Sequence, residues 1–379
     1  MRIEQNTWTE ATGWRPGGIG ALGDSAQLVL VFGATRLLLE DEHYLAIKDA
    51  YPKAHVLGCS TAGEISSTQV LDDSLVVTAV NFEHTQLKVA QILLDQIENS
   101  FQAGEHLASS LDGDRLVHVL VISDGLAVNG SELVAGIVKH LPAGVAITGG
   151  LAGDGARFEQ TLVCLDGQPE RGKIAVLGFY GDRLKVGYGS LGGWDPFGPE
   201  RLITRSVGNI LYELDGHSAL DLYKSYLGEH AAGLPASGLL FPLSLRADDG
   251  GSGVVRTILG VNEEEQSMTF AGDVPQGAHA RLMKANFERL IDGATGAAKT
   301  SYEAVGSTSP DLAILISCVG RKLVLKQRIE EEVEGVRDVL GDHTTITGFY
   351  SYGEISPFTP SARCELHNQT MTITTFSEE

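Results

Sequence analysis

The chain is 379 residues long and carries 28 Lys+Arg against 49 Asp+Glu, a formal charge of −21. Such an acidic surface repels nucleic-acid backbones and anionic lipid. No apolar run approaches the roughly 18 residues of a membrane-spanning helix, and the polar, glycine-rich start of the chain has no secretory h-region.

The first predicted strand, Leu28–Phe32, runs into Gly33-Ala-Thr-Arg36. A helix over Glu42–Tyr51 follows, with Tyr44, Ile47 and Tyr51 on one face and Pro52 ending it. A second strand, His55–Leu57, opens into the glycine loop Gly58–Ser66, and strands Leu75–Phe82 and Leu87–Leu94 complete the unit. The pattern recurs. Leu116–Ile122 is a strand and Ser131–Leu141 a helix, with Ser131 as its expected cap and Leu133, Val134, Ile137, Val138 and Leu141 as its buried stripe. Val145–Thr148 then opens into Gly149–Gly155, and strand-like runs follow at Thr161–Leu165, Lys173–Tyr180 and Leu184–Tyr188.

The Gly/Pro/Trp-rich stretch Gly187–Pro199 marks a boundary near residue 200. Beyond it come strands Arg201–Val207 and Asn209–Leu214, a helix Ser218–Leu227, three more strands between Leu239 and Ala271, and a helix over Ala278–Val305. A third copy of the unit ends the chain: strand Leu312–Ile316, loop Ser317–Lys322, helix Leu323–Leu340, loop Gly348–Ser356 and strands Ala362–Leu366 and Thr370–Phe376. The first and third loops share G-x-x-x-x-G-E-I-S. Strand end and loop are spaced 58 − 32 = 26, 149 − 123 = 26 and 348 − 317 = 31 residues apart. This register predicts internal duplication and an α/β (α+β) fold of pseudo-symmetric strand-helix-strand-strand units, with mixed, largely antiparallel sheets covered by helices. The 46 glycines collect at the strand ends, where tight turns or close backbone approach need them.

The loop GCSTAGEI, the central LYELDGHSALDLYKSYLG and LLFPLSL, and the C-terminal SCVGRK, GFYSYGEISP and LHNQTMTIT resemble the FIST family, in its order, over residues 25–376. The resemblance divides the chain into an N-terminal extension at 1–25, a FIST N-terminal domain at 26–200 and a FIST C-terminal domain at 201–379. It implies a sensory, ligand-binding protein of signal transduction rather than an enzyme. Stand-alone FIST proteins that bind haem, sense nitric oxide and act in trans on a histidine kinase are the nearest architectural match. The resemblance therefore implies haem as cofactor, a histidine kinase and a small molecule as partners, and a cytoplasmic location; a homodimer is left open.

No P-loop, H-E-x-x-H, G-x-S-x-G or EF-hand pattern is present, and GGLAGDG lacks the following helix of a dinucleotide fingerprint. The two matching loops nominate Cys59, Ser60, Thr61, Glu64, Tyr350, Ser351 and Glu354 as pocket residues. The alternative is that the glycines serve turns and the glutamates satisfy buried amides. Arg321, Lys322, Lys326 and Arg328 precede Glu330–Glu334, an order that opposes the helix dipole. Pairs Lys326–Glu330 and Arg328–Glu332 would account for two of the cations, leaving Arg321 to meet a ligand carboxylate. This supports an amino-acid or small-carboxylate module as a second hypothesis. A non-covalent haem needs an axial ligand, for which His367 and His217 are the candidates; a sheet-edge hydrogen bond is the competing role for His367. Cys59 and Cys318, each at a strand end, would serve a thiol-dependent enzyme if activated, or act as small buried hydrophobes. The 4 scattered cysteines form no CxxC pair and are expected to be reduced.

Overall fold

The computed structural model describes residues 1–246, 253–306, 309–358 and 362–379. Among these residues the strands form three six-stranded sheets and one nine-stranded sheet. The leading strands Leu28–Gly33, Leu116–Ser123 and Leu312–Cys318 occupy equivalent places in the three smaller sheets. Each lies parallel to the second strand of its unit, His55–Ser60, Ala146–Leu151 or Thr345–Ser351. Each is antiparallel, on its other side, to Ser74–Asn81, Lys173–Tyr180 or Met371–Glu378. The predicted mixed α+β architecture of repeated units is therefore the observed one.

Alternation along these strands builds two layers of core. Leu28, Leu30 and Phe32 join Leu120, Ile122, Ile314, Ile316, Phe349 and Phe376 in one central cluster shared by the three sheets. Phe32 and Phe349, from different units, stack with centroids 4.8 Å apart. The intervening residues point the other way: Val29 and Val31 pack with Ile47 of the helix Asp41–Ala50. Val119 and Val121 share a cluster with Leu133 and Ile137 of the helix Gly130–His140, and Ala313 and Leu315 with Val333 and Val336.

The units are interlocked in a ring. The segment after each second strand crosses to a neighbouring sheet: Glu64–Ser66 pairs with Thr345–Ser351, Gly353–Pro357 with Ala146–Leu151, and Val163–Leu165 with His55–Ser60. Three backbone bonds at the crossings repeat the cycle, from Ala62 to the Tyr350 carbonyl (2.8 Å), Gly153 to Ser60 (2.9 Å) and Tyr352 to Leu151 (3.2 Å). The residues 1–25 contribute the strand Arg2–Thr9, which pairs along its whole length with Ser74–Asn81.

The nine-stranded sheet is built from residues 194–285, with its own core around Leu211, Leu220, Tyr223, Ile258 and Phe270. The helix expected over Ala278–Val305 is two elements. His279–Ala285 is a strand, with Ala280 and Leu282 buried at alternating positions and pairing that ties it to three other strands. Asn286 then caps the helix Phe287–Val305. The predicted helix Leu323–Leu340 is also interrupted: Lys326 adopts φ 50° between the helices Val319–Leu325 and Ile329–Leu340. Asn129, rather than Ser131, caps the second-unit helix, because its Oδ1 accepts the amides of Ser131 and Glu132. No helix of the described residues is long and apolar enough to cross a membrane.

Candidate functional site

The recurring glycines are fixed by strand packing. A Cβ on Gly58, Gly149 or Gly348 would lie 2.1, 1.9 or 1.9 Å from the carbonyl oxygen of Val31, Val121 or Leu315 on the adjacent parallel strand. No side chain fits there, so the second strand of each unit runs tight against the first.

Beyond that glycine, two units build the same carboxylate cage. Glu64 is 1 % exposed; Oε1 accepts the Thr61 hydroxyl at 2.5 Å, and Oε2 accepts the Ser74 hydroxyl at 2.6 Å and the Ser74 amide at 3.3 Å. Glu354 is fully buried; Oε1 accepts Ser351 at 2.5 Å, and Oε2 accepts the Thr370 hydroxyl at 3.0 Å and its amide at 3.2 Å. Burial pushes both carboxyls up, to about 7 for Glu64 and about 8 for Glu354, against the pull of these donors. The strand pairings place Val163 at the corresponding position of the second unit. There Asp154 organises the loop instead, accepting the amides of Phe158, Glu159 and Gln160, each at 2.9 Å, together with the Tyr352 hydroxyl.

The nominated pocket residues come together but are enclosed. Ser60 accepts the Leu162 amide at 2.9 Å and Cys59 belongs to the central core. Arg321 is 0 % exposed and all three of its nitrogens are engaged, with Glu332 (2.7 and 3.1 Å), the Leu290 carbonyl (2.7 Å) and the Gly192 carbonyl (3.1 Å). It is thus an internal tie between the third unit and the neighbouring helix, not the cation that meets a ligand. Tyr350 completes the tie, donating to Glu332 at 2.7 Å.

The helix break corrects the dipole argument as well. Glu330, Glu331 and Glu332 form the first turn of their own helix, where anions are favoured. Arg328 pairs with Glu331 and Glu288 rather than Glu332. Lys322 reaches the Ala62 carbonyl at 2.9 Å and also Asp72.

Neither proposed axial histidine fits a haem. His367 is 4 % exposed, its Nε2 donates to the Ser356 carbonyl at 2.9 Å, and burial lowers it to about 4. His217 sits exposed on the short strand His217–Ser218, without an apolar enclosure. The four thiols are buried, and burial pushes each of them up, the opposite of what an activated nucleophile needs.

Open space adjoins the Glu64 cage at the Asp73–Ser74 turn. A cleft of about 270 Å³ is lined by Thr35, Arg36, Asp73, Asp154, Arg157 and Gln160 among others. Thr35 is 7 % exposed and its hydroxyl has no hydrogen-bond partner among the described residues. Arg36 is half-exposed and touches Glu40 at 3.1 Å and Glu10 at 3.6 Å; Arg157 stands 3.9 Å from Asp154. Guanidinium and carboxylate groups thus share one rim above an orphan hydroxyl. Sequence reasoning marked the loop Gly33–Arg36 but did not select it; the strand end followed by Thr-Arg was the available signal. Asp73 and Arg157 carry no signal, because the cleft joins segments from two units.

Comparison with known proteins gives the family. Residues 27–217 match the model of the FIST N domain and residues 219–357 that of the FIST C domain. The chain is 24 % identical over 316 residues to the uncharacterized protein MJ1623 of Methanocaldococcus jannaschii, covering 76 % of this chain but only 59 % of that protein. Cyanuric acid hydrolase from A. caulinodans aligns over 78 % of this chain and 99 % of its own at 11 % identity, with a TM-score of 0.18, too low to bear on fold or activity.

Proposed function

This chain belongs to the FIST family, whose domains are associated with sensory ligand binding in signal transduction, and on that premise we propose that it is a sensor that binds a small zwitterion of the amino-acid class in the cleft at Thr35. One observation carries this reading: a buried hydroxyl without a partner under a rim bearing both signs of charge. A buried polar group left unpaired costs about 1–3 kcal/mol, so the site gains from a ligand that completes it. Arg36 and Arg157 suit a carboxylate, and the exposed Asp73 and Glu159 an ammonium. Output through a histidine kinase in trans, in the cytoplasm, completes the proposal by family resemblance.

Haem with nitric-oxide sensing is the alternative that resemblance supplies. The environments of His367 and His217 do not support it. The test is a thermal-shift screen of the individual amino acids against the native chain and Thr35→Val. We expect a shift for one or a few amino acids that is lost in the variant while its unliganded melting point is kept. A Soret band after incubation with haem, and no amino-acid shift, would overturn the reading.

A further inference from the structure

Ser74 joins the cleft to the buried carboxylate behind it. On one side its amide and hydroxyl both donate to Glu64 Oε2, at 3.3 and 2.6 Å. On the other its carbonyl accepts the Ala34 amide at 3.0 Å, directly before Thr35 and Arg36. Asp73, next to it, lines the cleft and holds φ 52°, in the left-handed region that Asp tolerates in tight turns.

We propose that Glu64 is a proton-linked positioning residue for the cleft: ionised, it holds the Asp73–Ser74 turn and the loop before Thr35 in their binding geometry, and protonated, it releases them. The inference rests on the cleft being the ligand site and names the regulation of that site. Its chemistry is donor counting. The carboxylate accepts three hydrogens, from Thr61, Ser74 Oγ and Ser74 N. A proton on either oxygen turns an acceptor into a donor and meets a hydroxyl already donating to it. That hydroxyl must rotate, and the remaining bonds lose their charge assistance.

The groups facing Glu64 set where this happens. Lys322, from the helix Val319–Leu325, favours the carboxylate, and Asp72, just before the turn, opposes it. The Cys59 thiol on His55–Ser60 and the Tyr350 phenol on Thr345–Ser351 stay protonated through burial. Glu330 approaches the neighbouring strand at the Val70 amide, 3.4 Å away. With burial the largest influence, the carboxyl is pushed up to about 7. Glu354 has the same three bonds, but the residue before Thr370 is Gln369, whose side chain is fully buried and packed on Gly320. The proposal is therefore specific to Glu64.

Hydrogen exchange on the full chain tests it without any ligand. After correction for intrinsic rates, we expect protection of the Ala34 and Ser74 amides to fall about five-fold from about pH 8 to about pH 6, the scale of one charge-assisted bond made neutral. Glu64→Gln should sit at the low level at every pH. Ser74→Ala, which keeps the glutamate and removes its 2.6 Å hydroxyl bond while leaving the 3.3 Å amide bond, should reduce the pH dependence at Ala34 and covers the case in which Glu64→Gln does not fold. Protection in the native chain that does not change with pH, or that titrates unchanged in Ser74→Ala, overturns the proposal. Calorimetry with glycine as the minimal zwitterion adds the ligand arm. Affinity that falls with the same midpoint as the exchange supports the link, and affinity that is constant across that range overturns it. A turn that titrates in a chain that binds no amino acid would instead sink the ligand reading and leave the Glu64 switch standing.

Discussion

The first and third units share one design and end in opposite states. Both hold a glutamate in the same three-donor cage, and in both a left-handed residue precedes the donor: Asp73 at φ 52° before Ser74, and Gln369 at φ 66° before Thr370. In the first unit that residue borders an open cleft. In the third it closes the space. Gln369 is fully buried over Gly320, and its Nε2 donates to the Leu239 carbonyl and the Thr257 hydroxyl, each at 3.0 Å, both from the chain segment that builds the nine-stranded sheet. The repeated unit supplies the cage and its glycine in both places; what covers the cage decides whether it borders open space or the interior. The third unit is committed to the interior, and its charges are spent on internal ties such as Arg321–Glu332.

The sharpest way to break this comparison is at that tie. Arg321→Met leaves Glu332 buried and uncompensated, since both side chains are 0 % exposed. A loss of about 3–5 kcal/mol is expected in denaturant unfolding. Arg36, one position away from the first-unit equivalent of Arg321, is half-exposed, so Arg36→Met should cost no more than about 1 kcal/mol. Equal losses would show that the two units do not differ in the way described.

Next in size are the glycines that make the units alike. Gly58→Ala and Gly348→Ala each drive a Cβ into a carbonyl oxygen of the adjacent strand, 2.1 and 1.9 Å away. Each should destabilise by about 1–3 kcal/mol through backbone displacement, read as a lower midpoint at unchanged m-value. A neutral Gly58→Ala would mean that the first sheet can yield where the third cannot.

The glutamates give a pH signature. Each carboxyl is raised in the folded chain, from 4.5 to about 7 for Glu64 and about 8 for Glu354. The folded state therefore binds more protons than the unfolded state between the two values. Stability is greatest below about pH 4.5 as far as these groups are concerned, and it falls as pH rises through 7 and then 8, by about 2 kcal/mol or more per group. Both groups contribute to the fall up to about pH 7 and Glu354 alone beyond it, so Glu354→Gln should abolish the fall between about 7 and 8 and lessen the rest, while Glu64→Gln should lessen only the part below about 7. Urea midpoints across this range would separate the two cages.

The sequence made the cages legible and left the cleft hidden. G-x-x-x-x-G-E-I-S exposed both glutamates because the constraint is local: a glycine under a neighbouring carbonyl and an acid six residues on. Arg321 reads as a ligand cation in the sequence for the converse reason. Its partner Glu332 lies in a separate helix, made possible by the break at Lys326, and no local pattern announces a left-handed lysine. The strand His279–Ala285 reads as helix in the sequence because Ala, Leu, Met and Lys favour helix in isolation, while pairing with three strands overrides that preference. The cleft escaped notice because Thr35 and Asp73 come from one unit and Arg157 from the next, joined only by the crossing of strands between sheets.

The smallest expected effect tests the comparison most directly. Gln369→Gly removes the side chain that fills the third unit and retains a backbone at φ 66° that glycine adopts without strain. It gives up the bonds to Leu239 and Thr257, but also an Oε1 that is buried without a partner. These contributions oppose one another, so the net loss should be about 1 kcal/mol. The emptied space would be bordered by Val319 and Gly320 where the first unit has Thr35 and Arg36, and so would lack both the hydroxyl and the guanidinium. If polar groups rather than available volume make the first cleft a binding site, glycine calorimetry on Gln369→Gly should keep a stoichiometry of one. A second, weaker site in the variant would show instead that closure alone separates the two units, and that the duplicated cage retains a binding capacity which Gln369 suppresses.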